Sequence, residues 1–336
     1  MRFIGKISTL FSYLVLLPST IYAQHFPAIT EYANLDGSLE IVIDKNDSFG
    51  DISNPNLNFN NKKIIQMLKI NITEVMQQKI NDAYYTMLFT GGEQNYSKGI
   101  VRFNQSQGAV DLGMANVPVL DQGSYGTCVT FSSTAALDAK FRIGDYIDQQ
   151  CSLALDFALG NNYWHGAWTA NDVIIPLKKY GLIAKNYCFN MKYPNPNQKV
   201  DLNEYQKISF KGYTDKITTT NTKPNITAIK QALNSGYRVL IGFLYNSDFS
   251  STMINKDGSQ AQQNRGGLWA CYQPNDTRNR CSRTNAGHEV IIIGYDDNQQ
   301  LLKIRNSWSS EAGDNGDYYM TYNFFNAMAM DQTILY

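Results

Sequence analysis

The sequence predicts an α+β fold in which a helical half precedes a β half, and three observations carry that expectation. First, from Cys128 onward the apolar residues Val129, Phe131, Ala135, Leu137 and Phe141 fit a helix of several turns, directly after a loop marked by Gly123 and Gly126. Second, residues 169–180 read as a further helix stopped by Gly181, and Pro194 and Pro196 mark a loop beyond it. Third, the chain then changes character: residues 237–245, 289–295, 301–305 and 318–322 are strand-like runs separated by Gly, Asn and Asp turns.

The 336 residues, 43% of them apolar, suffice for one large domain or two ordinary ones. Lys plus Arg and Asp plus Glu number 29 each, so no summed field favours phosphates or anionic lipid, and nucleic acid is not an expected partner. At the start, Arg2 and Lys6 precede an apolar run over residues 7–21, and the small Ala23 follows. Residues 1–23 therefore read as a secretory signal peptide. A membrane anchor is the alternative, but Pro18 interrupts the run, which falls short of the ~20 apolar residues that span a bilayer. The expected destination is secreted or otherwise extracytoplasmic, with no membrane attachment after signal removal.

Residues 24–107 form a weakly patterned preface. Residues 39–44 alternate like a short strand. Asn71 with Glu74 could cap a helix whose stripe is Val75, Met76, Ile80, Ala83, Tyr84, Met87 and Leu88, ended by Gly91 and Gly92. This preface is either a removable pro-segment or a permanent arm, and the sequence leaves the choice open. Of the five cysteines, Cys128, Cys151, Cys188, Cys271 and Cys281, four can pair in an oxidising compartment and one is left as a free thiol. No C-x-x-C spacing occurs and there are three histidines, so no metal site is expected.

A thiol attacks a carbonyl well only as thiolate, and a helix N-terminus beside an imidazolium is the setting that favours it. Cys128 opens a helix. His25 borders the signal peptide and His165 lies in the loop YWHGAW, whereas His288 stands at the mouth of the apolar strand EVIIIGY, so His288 is the better base. Asn306, in IRNSW at the end of the next strand, can supply the oxygen that fixes the imidazole's tautomer.

Together these segments resemble the papain family of cysteine peptidases. VPVLDQGSYGTCVTFSSTAALD is similar to the family's nucleophile region, GHEVIIIGYDD to its histidine strand and IRNSWSSEAGDNGDYYM to its asparagine segment, in the same order and over residues 108–336. The resemblance implies a two-lobed fold, with a helical left lobe over about 108–207, an antiparallel β-barrel-like right lobe over about 208–336, and the cleft between them. It implies Cys128 as nucleophile, His288 as base and acid, Asn306 as orienting amide, and Gln122 as the side chain sharing the oxyanion hole with the Cys128 amide. It also implies Trp308 as the indole covering the asparagine, and Gly166 in the substrate-binding loop. The disulfides it leads us to expect are Cys151–Cys188 and Cys271–Cys281, with Cys128 free.

The chain departs from the pattern around the nucleophile, where Tyr125 stands for the usual cysteine, Val129 for tryptophan and Thr127 for serine; around Gly166 it reads HGAW, without the expected second glycine, and its preface has no clear match to the family's long helical pro-region motif. The changes around the nucleophile look like a bacterial-type branch. Glu289 occupies a position bordering the pocket for the second side chain upstream of the cut, where it would favour a basic residue, unless strand alternation turns it elsewhere. The expected activity is peptide-bond hydrolysis by a monomeric, cofactor-free zymogen acting on peptides or proteins. A papain-fold binding protein and a cysteine transpeptidase or transferase using the same residues are the alternatives.

Overall fold

The second half of the chain supplies most of the strands of one sheet, with residues 286–296 at its centre. The computed structural model describes residues 31–44, 62–89, 108–245, 267–271, 281 and 285–336, so residues 1–23 with the signal-peptide reading, and Gly91 and Gly92, lie outside the described residues. The strands are β1 (Ala33–Asp44), β2 (Lys62–Ile72), β3 (Ala109–Asp111), β4 (Thr219–Thr222), β5 (Val239–Tyr245), β6 (Gly267–Trp269), β7 (Ala286–Asp296), β8 (Leu301–Arg305), β9 (Asp317–Thr321) and β10 (Ala329–Leu335). Their order is β4-β10-β5-β7-β8-β9-β6, with β2 and β3 also paired to β7.

All eleven residues of β7 are buried. Period-2 alternation explains how: Val290 and Ile292 belong to the core of the β lobe, whereas Ile291 and Ile293 belong to the core of the helical lobe. β7 is therefore the wall between the lobes, and His288 and Glu289 leave it on opposite faces.

The helical lobe packs around α2 (Cys128–Phe141), after the preface helix α1 (Glu74–Phe89). Residues 128–139 of α2 are all buried, including Thr130, Ser132, Ser133 and Thr134. The Ser132 hydroxyl donates to the Cys128 carbonyl at 2.8 Å and Thr134 to that of Thr130 at 2.9 Å, so these two side chains are satisfied within the helix, whereas the Thr130 and Ser133 hydroxyls are buried without a partner. Asp138 receives the Tyr146 and Ile147 amides at 3.1 and 3.2 Å. Around α2 lie α3 (Gln149–Ala158), α4 (Ala170–Tyr180) and α5 (Leu202–Ile208). α4 begins with the Asp172 carboxylate accepting from the Trp168 and Thr169 amides at 2.9 and 2.8 Å. The helices α6 (Ile226–Asn234) and α7 (Tyr322–Met328) flank the sheet.

Cys151 is bonded to Cys188 and Cys271 to Cys281, with Cα separations of 5.3 and 5.1 Å, and Cys128 is free. Where the family cysteine is absent, Tyr125 packs edge-on against Trp164 at 5.1 Å, and Tyr193 stacks on Trp164 at 5.6 Å. An aromatic cluster holds the loop instead of a crosslink.

The preface, described over residues 31–44 and 62–89, differs from its sequence reading in two respects. The helix cap is Thr73, whose hydroxyl accepts from the Met76 amide at 3.3 Å, while Asn71 lies in β2. The helical stripe is narrower than its apolar residues suggest: Met76 and Ile80 are buried in the β-lobe core, whereas Val75 is 47% exposed. β1 and β2 form an antiparallel pair and send Ile41, Ile65, Met67 and Ile70 into the same core. Among the described residues, no helix is long and apolar enough to cross a membrane.

Candidate active site

Cys128 is the first residue of α2, held there because the loop before it passes close under another backbone. A Cβ on Gly126 would meet the His165 carbonyl carbon at 2.8 Å, and the Gly126 amide donates to the Trp164 carbonyl at 3.0 Å. The next wall is β7: the Cys128 thiol is hydrogen-bonded to the backbone of Glu289, the residue after His288. β7 thus brings the sequence-distant thiol and imidazole to one place.

His288 is fixed by two neighbours. Its Nε2 lies 2.9 Å from Asn306 Oδ1, and the same oxygen accepts the Ser307 amide at 2.8 Å. An oxygen that accepts from a backbone N–H cannot be the amide nitrogen, so Nε2 must carry the proton and the neutral ring's lone pair is on Nδ1. Nδ1 has no hydrogen-bond partner and is the nitrogen left for the thiol. Trp308 lies stacked on the imidazole itself, with centroids 4.7 Å apart and planes 23° apart. The indole was expected over the asparagine; stacking on the ring still shields the His288–Asn306 bond from water. Phe243, Tyr245 and Trp269 complete an aromatic enclosure around the ring.

Gln122 is fully buried. Its Oε1 accepts from the Ser307 hydroxyl at 2.7 Å and its Nε2 donates to the Tyr125 carbonyl at 2.9 Å, leaving one Nε2 hydrogen for an oxyanion. The Tyr193 hydroxyl donates to the Gln122 carbonyl at 2.5 Å and lies 3.0 Å from Thr127 Oγ1, bracing the loop before the nucleophile. Sequence reasoning missed Tyr193, which lies 71 residues from Gln122 with no local pattern to mark it. It also missed Ser307, which ties the asparagine segment to the nucleophile loop; the backbone bond from Gln122 N to Ser307 O at 2.9 Å reinforces that tie.

The preface crosses this site. The Gln66 amide donates to Ser124 O at 3.0 Å and the Ile70 amide to Asn285 O at 2.8 Å, while Leu68 pairs with Gly287 of β7. Lys63 forms an ion pair with Asp121. Gly166, at φ 120°, faces the Leu68 side chain: a Cβ there would lie 2.7 Å from Leu68 Cδ1. Ser124 and Gly166 belong to the helical side and Asn285 and Gly287 to the β side, so β2 spans the cleft at positions flanking Cys128 and His288. β2 went unread in the sequence, although Ile64, Ile65, Ile70 and Ile72 supply the strand-forming signal.

Burial sets the electrostatics of the pair. Burial pushes the Cys128 thiol up to about 12, against the Glu289 backbone bond. Burial likewise holds His288 down to about 4, opposed by the Asn306 bond. The covered pair is a neutral thiol beside a neutral imidazole.

Residues 104–336 match the family model described as papain family cysteine protease. The chain is 26% identical over 210 residues to cysteine proteinase 2 of Entamoeba histolytica, covering 59% of this chain and 58% of that protein. It is 24% identical over 230 residues to pro-cathepsin H of Mus musculus, covering 67% of this chain and 62% of that protein. The chain thus spans about three fifths of the length of these two curated relatives. Among solved structures it resembles xylellain, a cysteine protease from Xylella fastidiosa, with a TM-score of 0.50 and 20% identity, covering 72% of this chain and 92% of that one. That likeness is one of fold. With the family model matched over most of the chain and a buried cysteine, histidine and asparagine gathered at one lobe boundary, the chain belongs to the papain family of cysteine proteases.

Proposed function

We propose that the chain is an exported cysteine peptidase held latent by its preface. The observation that carries the reading is the Cys128–β7 contact together with the His288–Asn306 bond, which leaves Nδ1 as the base beside the only free thiol among the described residues. In the opened site Nδ1 takes the thiol proton, and the sulfur attacks the carbonyl carbon of the scissile bond. The oxyanion is held by Gln122 Nε2 and the Cys128 amide at the start of α2. His288 then protonates the leaving amine, and water resolves the thioester with the same imidazole as base.

The preface acts as a pro-segment in this reading. β2 takes the backbone partners on both cleft walls that an extended substrate would use, and its cover suppresses the ion pair that makes the thiol reactive. Two disulfides and the basic-then-apolar start of the sequence support an oxidising, extracytoplasmic destination. The test is cleavage of a fluorogenic peptide by the purified chain before and after limited proteolysis, beside Cys128→Ala. Activity that appears with loss of the preface and is absent in Cys128→Ala supports the reading; equal cleavage by the alanine variant overturns it.

A further inference from the structure

A cavity of about 470 Å³ opens at the end of α2 away from the nucleophile, and among the described residues it is lined by three cationic side chains and no acidic one. Its volume lies in the range of sites that hold small molecules. Lys140 comes from the last turn of α2, Arg142 is the residue that caps that helix, and Arg238 stands immediately before β5. The length of α2 puts the cavity about 20 Å from Cys128, so it is no part of the catalytic site.

The charge in this cavity is unbalanced. Arg238 Nε donates to the Gly113 carbonyl at 2.8 Å and Nη2 to the Leu112 carbonyl at 3.1 Å, contacts that fix the guanidinium plane without neutralising it and leave the Nη1 donors uncommitted. Lys140 Nζ donates to the Tyr336 carbonyl. Asp111, the carboxylate whose field reaches Arg238, is already held by Lys303 at 2.6 Å, and Asp317 is held by Arg305 at 2.6 Å. Burial, and then the like charges of Arg142 and Arg305, push the Arg238 pKa down. Cations favour a helix C-terminus, which accounts for Lys140 and Arg142. It does not account for Arg238, which the sheet brings in against like charge. Part of the wall is also held in a conformation that side chains rarely adopt: Ala115 and Asn116 have φ of 47° and 70°, and Arg142 of 59°.

We infer that this cavity binds a small polyvalent oxyanion, of the polycarboxylate or polyphosphate class, gripped by Arg142 from the helical lobe and Arg238 from the sheet. Guanidinium forks match the oxygens of both groups, and Arg238 is already oriented by its two carbonyl contacts. A single carboxylate would leave most of the cavity empty, so a molecule carrying several anionic groups suits the volume and the three cations together. Bound there, the anion offsets the repulsion between Arg142 and Arg238 and ties the end of α2 to the start of β5. The folded protein is stabilised in proportion to how fully the site is occupied.

The test is titration calorimetry and thermal melting of the intact chain with citrate and with pyrophosphate, at ionic strength held constant with sodium chloride. At least one probe should bind saturably and raise Tm; tighter binding of citrate assigns the site to carboxylates, and tighter binding of pyrophosphate to phosphates. Arg142→Gln should weaken binding about tenfold or more, and Arg238→Gln likewise. Arg238 also holds two carbonyls, so Arg142→Gln, at an exposed position, decides the matter if Arg238→Gln does not fold. Lys207→Gln, on α5 and outside the cavity, should leave affinity unchanged. Absence of saturable binding of both probes at millimolar concentration overturns the inference, as does an equal loss in Arg142→Gln and Lys207→Gln, which would reduce the effect to general screening. Neither readout needs catalysis, so the inference stands or falls apart from the peptidase reading.

Discussion

Leu68→Asp should turn the intact chain into an active enzyme. Leu68 is the preface side chain seated against Gly166 in the helical lobe and paired with Gly287 in the β lobe. Losing its apolar contact removes about 2 kcal/mol from docking of β2. Placing a carboxylate there, on the same face of β7 as Glu289, adds about another 2 kcal/mol of unpaired polar burial. A sum near 4 kcal/mol shifts the ratio of open to closed cleft roughly a thousandfold. The assay is hydrolysis of a fluorogenic peptide by chain whose preface is verified intact by mass spectrometry, with Cys128→Ala in the same background as a blank. Leu68→Ala should give a smaller rise in the same direction. If kcat/KM of intact Leu68→Asp equals that of intact wild type, β2 does not gate the site and the latency argument fails.

Gln122→Ala should lower kcat on the order of 10²-fold through the lost oxyanion donor. It should also lower Tm, because the buried Ser307 hydroxyl and Tyr125 carbonyl lose their partner. Asn306→Ala should reduce kcat about 10²-fold while Cys128 stays open to alkylation, since the imidazole loses its tautomer-fixing acceptor but not the thiol; loss of labelling as well would mean that Asn306 holds the fold rather than the base. Tyr193→Phe should weaken kcat by releasing the carbonyl of Gln122 and the Thr127 hydroxyl, with KM little changed; an unaltered kcat would remove Tyr193 from the positioning role.

The parts of the molecule that a sequence reader can recover are those written in contiguous residues. The 128–141 helix, the 286–296 strand and the 301–305 strand each carry their period locally, and their order presents Cys128, His288 and Asn306 to one another. What escaped depends on distant partners. β10 carries Asp331, Gln332 and Thr333 fully inside the protein, a pattern that reads as surface until Asn221 and Thr222 are seen to receive it. β2 was hidden because its alternation buries Lys63 beside Ile65 and Met67, and the reason for burying that lysine is Asp121 on the nucleophile loop. The direction in which Glu289 points was undecidable from alternation alone, since both faces of β7 are covered. The burial that drives the thiol and imidazole toward their neutral forms was likewise invisible, because segments distant in sequence make it.

The sign of the titration in the covered form differs from that in the open form. In the intact chain burial pushes the thiol up to about 12 and holds the imidazole down to about 4, so both groups are driven toward their neutral forms. Opening the cleft rehydrates both groups: the thiol pKa falls, the imidazole pKa rises, and the thiolate–imidazolium pair gains ground across mildly acidic pH. The alkylation rate of Cys128 against pH, measured on the chain after removal of the preface, tests this directly. Fast labelling that persists well below pH 7, and that slows sharply when the preface is left in place, is the predicted result. A rate that simply climbs with an apparent pKa near ~8.5, as for an ordinary cysteine, would contradict it.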